Sequence, residues 1–244
     1  MYDGMNGMVK INQSLSKEKR ILKAAETVFS KKGYSQATLD EVIKIADTGK
    51  GTVYKYYQNK ENLFYTLISE KSRRFSASLE KAYKDNASFK DQMTQYAYTC
   101  IKFFTKQEVL WSVLLFEVLN EQGGWRLLWD DTLQDYKVEI RWGKGPSEQE
   151  VAVKKRYAEL LRAEIMPLRQ ILHDAIAAGF IKPIANLPMM TENFFFSLVM
   201  LVFQHTVNPE NMEKSVDEML NRFLYGHWLG STAPEETGTG KTSK

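Results

Sequence analysis

The sequence has few of the residues that most catalytic and metal sites use. Its 244 residues include one cysteine, Cys100, and three histidines, which are not grouped at the intervals of metal ligands. It also has no P-loop, no GxGxxG and no nucleophile elbow. We therefore expect no enzyme activity, no cofactor and no metal. A lone thiol forms no internal disulfide, and no secretory signal pattern is visible, so a reducing cytoplasm is the expected compartment.

Long apolar runs, proline and glycine are also scarce. The most apolar stretch, residues 194–203, is ten residues long, about half of what spans a bilayer, so no membrane passage is expected. Only 6 prolines and 14 glycines interrupt segments in which apolar residues recur at helical spacing. With 43% hydrophobic residues, the chain can bury a large core. The sequence predicts an all-α fold.

Charge is distributed unevenly along the chain. Residues 1–74 carry 14 Lys and Arg against 8 Asp and Glu, a net of +6, whereas the remainder carries 19 against 22, a net of −3. A basic segment of this kind favours an anionic partner, although a solvated lysine-rich helix face gives the same count.

The N-terminal part predicts four helices. Apolar spacing indicates the first over residues 16–32, where Gly33 follows as a left-handed C-terminal cap. Thr38 and Glu41 form a capping box at the start of the second. After a three-residue turn, a short third helix covers residues 50–57, and Asn59 caps a fourth that runs from Lys60 to about residue 83.

The remaining chain predicts five further helices, separated by glycine and proline. They cover residues 87–106, 109–120, 147–178, 189–206 and 209–228, and Pro167 should kink the third of these. Residues 123–145 form a tryptophan-rich insertion between glycines. We expect a flexible N-terminus at residues 1–15 and a disordered tail at residues 231–244.

Two short helices joined by a tight turn are typical of a helix-turn-helix, whose second helix enters the major groove of DNA. The outward positions of the predicted third helix all carry hydrogen-bond donors: Lys50, Thr52, Tyr54, Lys55 and Tyr56. Phosphate oxygens and base edges accept from such donors. Gly51 permits close approach of the DNA backbone, and Lys60 adds a cation at a helix start. Lys44 and Lys55 could equally be ordinary solvated lysines, whereas Val53 and Tyr57 face the core.

The stretch TLDEVIKIADTGKGTVYKYYQNKENLF, residues 38–64, resembles the DNA-binding head of the TetR family of bacterial transcriptional regulators. In that family Thr52, Tyr54, Tyr56 and Lys60 would contact mainly phosphates, and Lys50 and Lys55 the groove or the backbone. Two positions depart from the family pattern. Asp47 replaces the usual turn glycine but tolerates the left-handed conformation, and Gly49 replaces the usual serine cap at little cost.

The resemblance implies a C-terminal body that senses a ligand and forms a homodimer. Its last two helices carry more apolar surface than one inward face needs, which favours a dimer interface formed by Phe194, Phe195, Leu198, Val202, Val216, Met219, Leu220 and Phe223. For a small-molecule effector we select Phe104, Trp111 and Met166 as pocket residues, although most aromatic residues at helical spacing are simply core.

These patterns predict a helix-turn-helix domain at residues 16–62 and an effector-binding and dimerisation domain at residues 63–230. The expected function is a ligand-responsive repressor that binds a pseudo-palindromic double-stranded DNA operator and is released by an apolar or aromatic effector. Two alternatives stay open. The same head could serve a DNA-binding protein that needs no effector, or the basic segment could bind an acidic protein.

Overall fold

A computed structural model describes residues 14–84, 88–119, 124–130, 132–207 and 210–224. The chain divides into two compact units, one formed by residues 1–78 and 103–164 and the other by residues 79–102 and 165–244. The sequence expectations for residues 1–13 and for the tail lie outside the described residues.

The described residues are mainly helical, which confirms the predicted all-α class. In chain order the elements are α1 (Lys17–Gln36), α2 (Leu39–Ala46), α3 (Lys50–Tyr57), α4 (Lys60–Lys84), α5 (Phe89–Ser112), a π-helix (Val113–Val118), β1 (Trp125–Asp130), β2 (Asp135–Ile140), α6 (Glu148–Ala177), α7 (Leu187–Phe203) and α8 (Met212–Leu224). No helix among the described residues is long and apolar enough to cross a membrane.

Helix α1 extends beyond its predicted end, but Gly33 interrupts it. Gly33 has φ 73° and ψ −177°, so its ψ differs from the left-handed cap that the sequence predicts. This backbone region is open almost only to glycine. The three residues after Gly33 then complete the assigned helix.

The two helices predicted at residues 87–106 and 109–120 are one helix followed by the π-helix. Gln107, with φ −115° and ψ 15°, leaves the helical conformation close to the predicted gap. The π-helix continues directly from Ser112 and was not predicted. Helix α6 continues through Pro167.

The tryptophan-rich insertion contains a two-stranded antiparallel hairpin, which the sequence analysis missed. Trp125 pairs with Ile140 and Asp130 with Asp135. Two cations of α6 cover its indole rings: Lys154 Nζ lies 4.3 Å from the Trp125 ring centre and Arg162 Cζ 3.4 Å from that of Trp129. These cation–π contacts hold the hairpin against the helix.

Helices α4 and α6 run in the same direction within the first unit. Arg156 of α6 donates to Glu61 at the start of α4, and further along both helices Ser72 donates to Glu164. Between these contacts the Tyr65 and Tyr157 rings meet edge to face at 5.4 Å. Aromatic burial along this seam anchors the start of α4, the helix that follows the helix-turn-helix.

Candidate nucleic-acid interface

Helix α2 has at each end the cap that the sequence predicts. Thr38 Oγ1 accepts from the Glu41 backbone N–H, and the Glu41 carboxylate accepts from the Thr38 N–H at 3.2 Å, so the predicted capping box is confirmed. Hydrogen bonds from Lys32 and Thr38 hold the pKa of Glu41 below its usual range. Asp47 ends α2 with φ 50° and ψ 59°, the left-handed conformation that the sequence predicts.

Helix α3 separates its inward and outward side chains cleanly. Val53 is fully buried and Tyr57 is 5% exposed, whereas Tyr54 and Tyr56 are 42% and 51% exposed. Lys50, Gly51 and Lys55 are exposed as well, and Thr52 is half-buried. Burial raises the pKa of the Tyr57 phenol, which therefore stays neutral in the core. The outward face of α3 is thus a surface of hydrogen-bond donors.

The partners that the described residues offer the Lys50 ammonium are weak. Its Nζ lies 3.5 Å from Asp40 Oδ1 and 5.7 Å from the Tyr54 ring centre. Both side chains of the ion pair are well exposed, and such pairs contribute little to stability. A phosphate could therefore displace Asp40 at small cost. At Gly51 an added Cβ would have no atom within 4 Å, so the fold itself does not require glycine there.

Lys60 has a role that the sequence analysis did not foresee. Its Nζ donates to the carbonyl oxygens of Tyr34, Ser35 and Ala37 at 2.9, 3.3 and 3.2 Å. It also lies 4.7 Å from the Tyr34 ring centre. The ammonium thus neutralises carbonyls at the end of α1, as cations do at helix C-termini. A phosphate contact by Lys60 stays a prediction, but part of any effect of its removal will be structural.

Two of the three predicted effector residues lie in one aromatic cluster. The Phe104 and Trp111 ring centres are 6.4 Å apart, and Phe103 lies 4.7 Å from Trp111 while stacking on Phe75 at 3.9 Å. Both predicted residues are fully buried. Among the described residues, Trp111 Nε1 has no hydrogen-bond acceptor. Such an orphaned donor inside a core is costly unless something else accepts its proton.

Met166, the third predicted effector residue, belongs to the other unit and is 38% exposed. A side chain that lines an enclosed apolar pocket loses nearly all contact with solvent, so this exposure does not favour the pocket, and the assignment of Met166 stays a prediction.

A buried carboxyl that the sequence analysis missed lies on α6. Glu164 is fully buried, and Ser72 Oγ donates to its Oε1 at 2.6 Å. Burial raises the pKa of Glu164 to about 8, so the acid is mostly protonated at neutral pH. Its position in the α6 stripe with the buried Tyr157 and Leu168 was the available sequence signal.

The predicted dimer residues are used mainly inside the protomer. Six of the eight are at most 3% exposed: Phe194, Phe195, Leu198, Val202, Val216 and Leu220. The ring centres of Phe223 and Phe194 are 4.4 Å apart, and Met219 is half-buried. These six cannot form a partner-facing surface as they stand, because α7 and α8 bury them within the chain. Helix α7 instead exposes Met189, Phe196 and Met200 at 54%, 39% and 40%.

No group of three or more His, Cys, Asp or Glu suited to a metal ion occurs in the part of the chain that the structure describes.

The sequence model of a family described as bacterial regulatory proteins of the tetR family matches residues 21–66. The HTH-type transcriptional regulator YhgD of Bacillus subtilis strain 168 is 30% identical over 90 residues, which are 37% of this chain and 47% of that protein. The fatty acid metabolism regulator protein of the same strain is 31% identical over 83 residues, 34% of this chain and 43% of that protein. The chain thus spans less than half the length of these curated relatives.

Solved structures share the fold over most of the chain. The Bacillus subtilis transcriptional regulator FadR, crystallised with stearoyl-CoA, has a TM-score of 0.64 at 20% identity and covers 85% of this chain and 98% of its own. The SmeT–triclosan complex has a TM-score of 0.60 at 15% identity, with 94% and 100% covered. At such identities the likeness extends to the fold alone. By their names, one of these curated relatives regulates transcription and the other regulates fatty acid metabolism.

Proposed function

We propose that this chain is a transcriptional regulator of the TetR family, whose sequence model matches residues 21–66, and that it acts as a dimeric, ligand-responsive repressor. Each protomer would insert α3 into the major groove of one half of a pseudo-palindromic operator. The two half-sites would lie about 34–36 Å apart, or a multiple of this. Because chromosomal DNA is the partner, the cytoplasm is the proposed compartment.

The outward face of α3 is the observation that carries the proposal. Lys50, Lys55, Tyr54 and Tyr56 are all exposed on eight residues of helix, where the core needs only Val53 and Tyr57. Phosphate contacts by Thr52, the tyrosines and Lys60, with groove or backbone contacts by the two lysines, stay the proposed assignment. A helix this short gains its stability from packing and not from its own length.

Selection from a random duplex pool tests this function directly. The protein should enrich a two-fold symmetric sequence and protect it in footprinting, and its affinity should fall steeply as salt rises. Tyr54→Ala and Tyr56→Ala should weaken binding to the selected duplex while the fold persists, because both rings are largely solvated. Failure to enrich any sequence, with binding to acidic proteins instead, would favour a protein interaction role.

We propose that the dimer forms through the exposed apolar face of α7. Met189, Phe196 and Met200 lie seven and four residues apart, which places them on one side of the helix. Apolar residues that recur on one helix face and are not buried within the chain typically meet a partner. Met200→Glu should therefore yield monomers in sedimentation equilibrium.

Met166→Glu is the matched control, because Met166 has nearly the same exposure as Met200 but lies on α6. It should remain dimeric. Equal behaviour of the two variants would place the interface elsewhere.

For the effector we propose the aromatic cluster around Trp111, with a ligand that is largely apolar and carries one hydrogen-bond acceptor for Trp111 Nε1. The fold neighbours FadR and SmeT were solved with stearoyl-CoA and triclosan, which supports a ligand with a large apolar part. A ligand screen read by tryptophan fluorescence should find compounds that release the selected duplex.

Trp111→Phe should reduce the response to such compounds and leave DNA affinity in their absence nearly unchanged. A screen in which no compound both binds and releases DNA would favour the effector-independent alternative.

A further inference from the structure

The interruption of α1 at Gly33 turns two backbone amides toward a side chain of another helix. Because Gly33 has φ 73° and ψ −177°, the chain bends sharply before Tyr34 and Ser35. Both of their N–H groups donate to Glu117 Oε2, each at 2.9 Å. Two donors on one carboxylate oxygen, from consecutive residues, form a small anion-binding nest.

The same carboxylate occupies the space beside Gly33. A Cβ added to Gly33 would lie 2.2 Å from Glu117 Oε1 and 3.0 Å from its Cδ. The Glu117 head group thus fills the space that a side chain at position 33 would need. No other residue type fits both the backbone conformation and this space.

A cation holds the other side of the same segment. Lys60 Nζ bonds the carbonyl oxygens of Tyr34 and Ser35, the two residues whose amides bond Glu117. The segment that leads from α1 to α2 is therefore fixed by an anion on its N–H side and a cation on its C=O side. Charge-assisted bonds of this kind are stronger than neutral ones.

Glu117 lies on a π-helix whose neighbouring residues are buried in the core. The π-helix that carries it buries Leu114 fully and Val113 nearly so, and the buried Trp111 lies two residues before its start. The Leu119 N–H closes it on the Leu114 carbonyl at 2.9 Å. π-Helical turns are rare and occur frequently at functional sites.

We propose that Glu117 is a positioning residue for DNA recognition: by binding the Tyr34 and Ser35 amides it fixes the α1–α2 segment and so the orientation of α2 and α3. This inference rests on the proposed DNA-binding function. It assigns specificity to a side chain that lies outside the helix-turn-helix and contacts no DNA itself. A movement of the π-helix would reach α3 through this contact.

The first test compares Glu117→Ala and Glu117→Gln with wild type, using Glu159→Gln as a control for an exposed glutamate on α6. Hydrogen exchange followed by NMR should show the Tyr34 and Ser35 amides exchanging at least about tenfold faster in Glu117→Ala. Glu117→Gln keeps one neutral acceptor, so its amide exchange rates should lie between those of wild type and those of Glu117→Ala. Glu159→Gln should match wild type.

The DNA readout is the ratio of affinities for the selected duplex and for random-sequence duplex. We expect this ratio to fall about tenfold in Glu117→Ala, with affinity for random DNA not reduced, because loss of positioning affects specific contacts alone. A role in stability only would leave the ratio unchanged, and that result would overturn the proposal. If Glu117→Ala does not fold, the same ratio in Glu117→Gln decides.

A double-mutant cycle gives an independent test of the contact. Gly33→Ala should strongly reduce specific binding in the wild-type background, where the new Cβ meets Glu117. In the Glu117→Ala background the clash is absent and only backbone strain remains, so the same change should have a smaller effect. Additive effects would overturn the proposal. Absence of any selected duplex for the wild-type protein would instead reject the DNA-binding function.

Discussion

Helices α3 and α7 expose side chains of opposite kinds. The outward face of α3 carries lysines and tyrosine hydroxyls, whereas α7 exposes Met189, Phe196 and Met200. Beneath those faces both helices bury apolar residues, as Val53 and Phe195 show. The inward faces serve the fold, and the outward faces suit the two proposed partners, a polyanion at α3 and an apolar surface at α7.

Two adjacent phenylalanines on α7 provide the sharpest test of this comparison. Phe195 is fully buried and Phe196 is 39% exposed. Phe195→Glu should cost more than about 4 kcal/mol of unfolding free energy, because it places a charge in the core. Phe196→Glu should fold normally but sediment as a monomer. Thermal melting and sedimentation of both variants would separate the two faces, and equal melting temperatures would contradict the comparison.

Glu164 is an ionisable side chain that is fully buried. The pH dependence of the unfolding free energy therefore tests whether its carboxyl group stays protonated in the folded protein. Its pKa of about 8 exceeds the usual 4.5, so between these values the unfolded state loses a proton that the folded state keeps. Wild-type stability should therefore fall relative to Glu164→Gln by roughly 1.4 kcal/mol per pH unit from about pH 5 to 8. Urea unfolding across this range, with Glu159→Gln as the control, measures the difference. Parallel pH profiles for Glu164→Gln and wild type would show that Glu164 is ionised in the folded protein.

Lys60 lies next to α3 in sequence but does not share its exposed face. Lys60→Ala removes the donor for three carbonyls and should lower unfolding free energy by about 1–3 kcal/mol. If Lys60 contacts phosphate as well, the variant should also show a smaller salt dependence on random DNA. A shift in the denaturation midpoint with an unchanged salt slope would limit Lys60 to the structural role.

Replacement of Lys55 should have the smallest effect, and this effect should be on DNA binding without a change in stability. Its side chain is exposed on α3, so Lys55→Ala should leave the melting temperature unchanged. The slope of log affinity against log salt should decrease in magnitude by about one per protomer. Lys90→Ala, an exposed lysine at the start of α5, is the control and should bind as wild type does. An unchanged slope for Lys55→Ala would remove it from the interface.

Local signals in the sequence were enough to predict the helix caps and the buried residues of the helix-turn-helix. The Thr38–Glu41 capping box, the left-handed Asp47 and the inward Val53 and Tyr57 depend on residues a few positions apart, and the structure confirms each of them. Apolar periodicity likewise located α6 and α7 to within a few residues, whereas α5 runs through the predicted gap and beyond its predicted end.

Features that depend on distant residues could not be predicted in this way. The bonds of Glu117 to residues 34 and 35 join positions more than 80 apart, and the burial of Glu164 follows from the packing of α4 on α6. The hairpin had a weak signal in the alternation of Trp125, Leu127 and Trp129. Periodicity identifies an apolar face without saying whether the same chain covers it, and six of the predicted dimer residues are in fact buried within the chain.

The fit between Gly33 and Glu117 has a consequence for how this sequence can change through descent. A side chain gained at position 33 first would meet the glutamate and also strain the backbone, whereas after a change at 117 only the backbone strain remains. The order of the two substitutions therefore matters, and lineages that replace the glycine should already have lost the glutamate. Two codons 84 positions apart are thus expected to vary together.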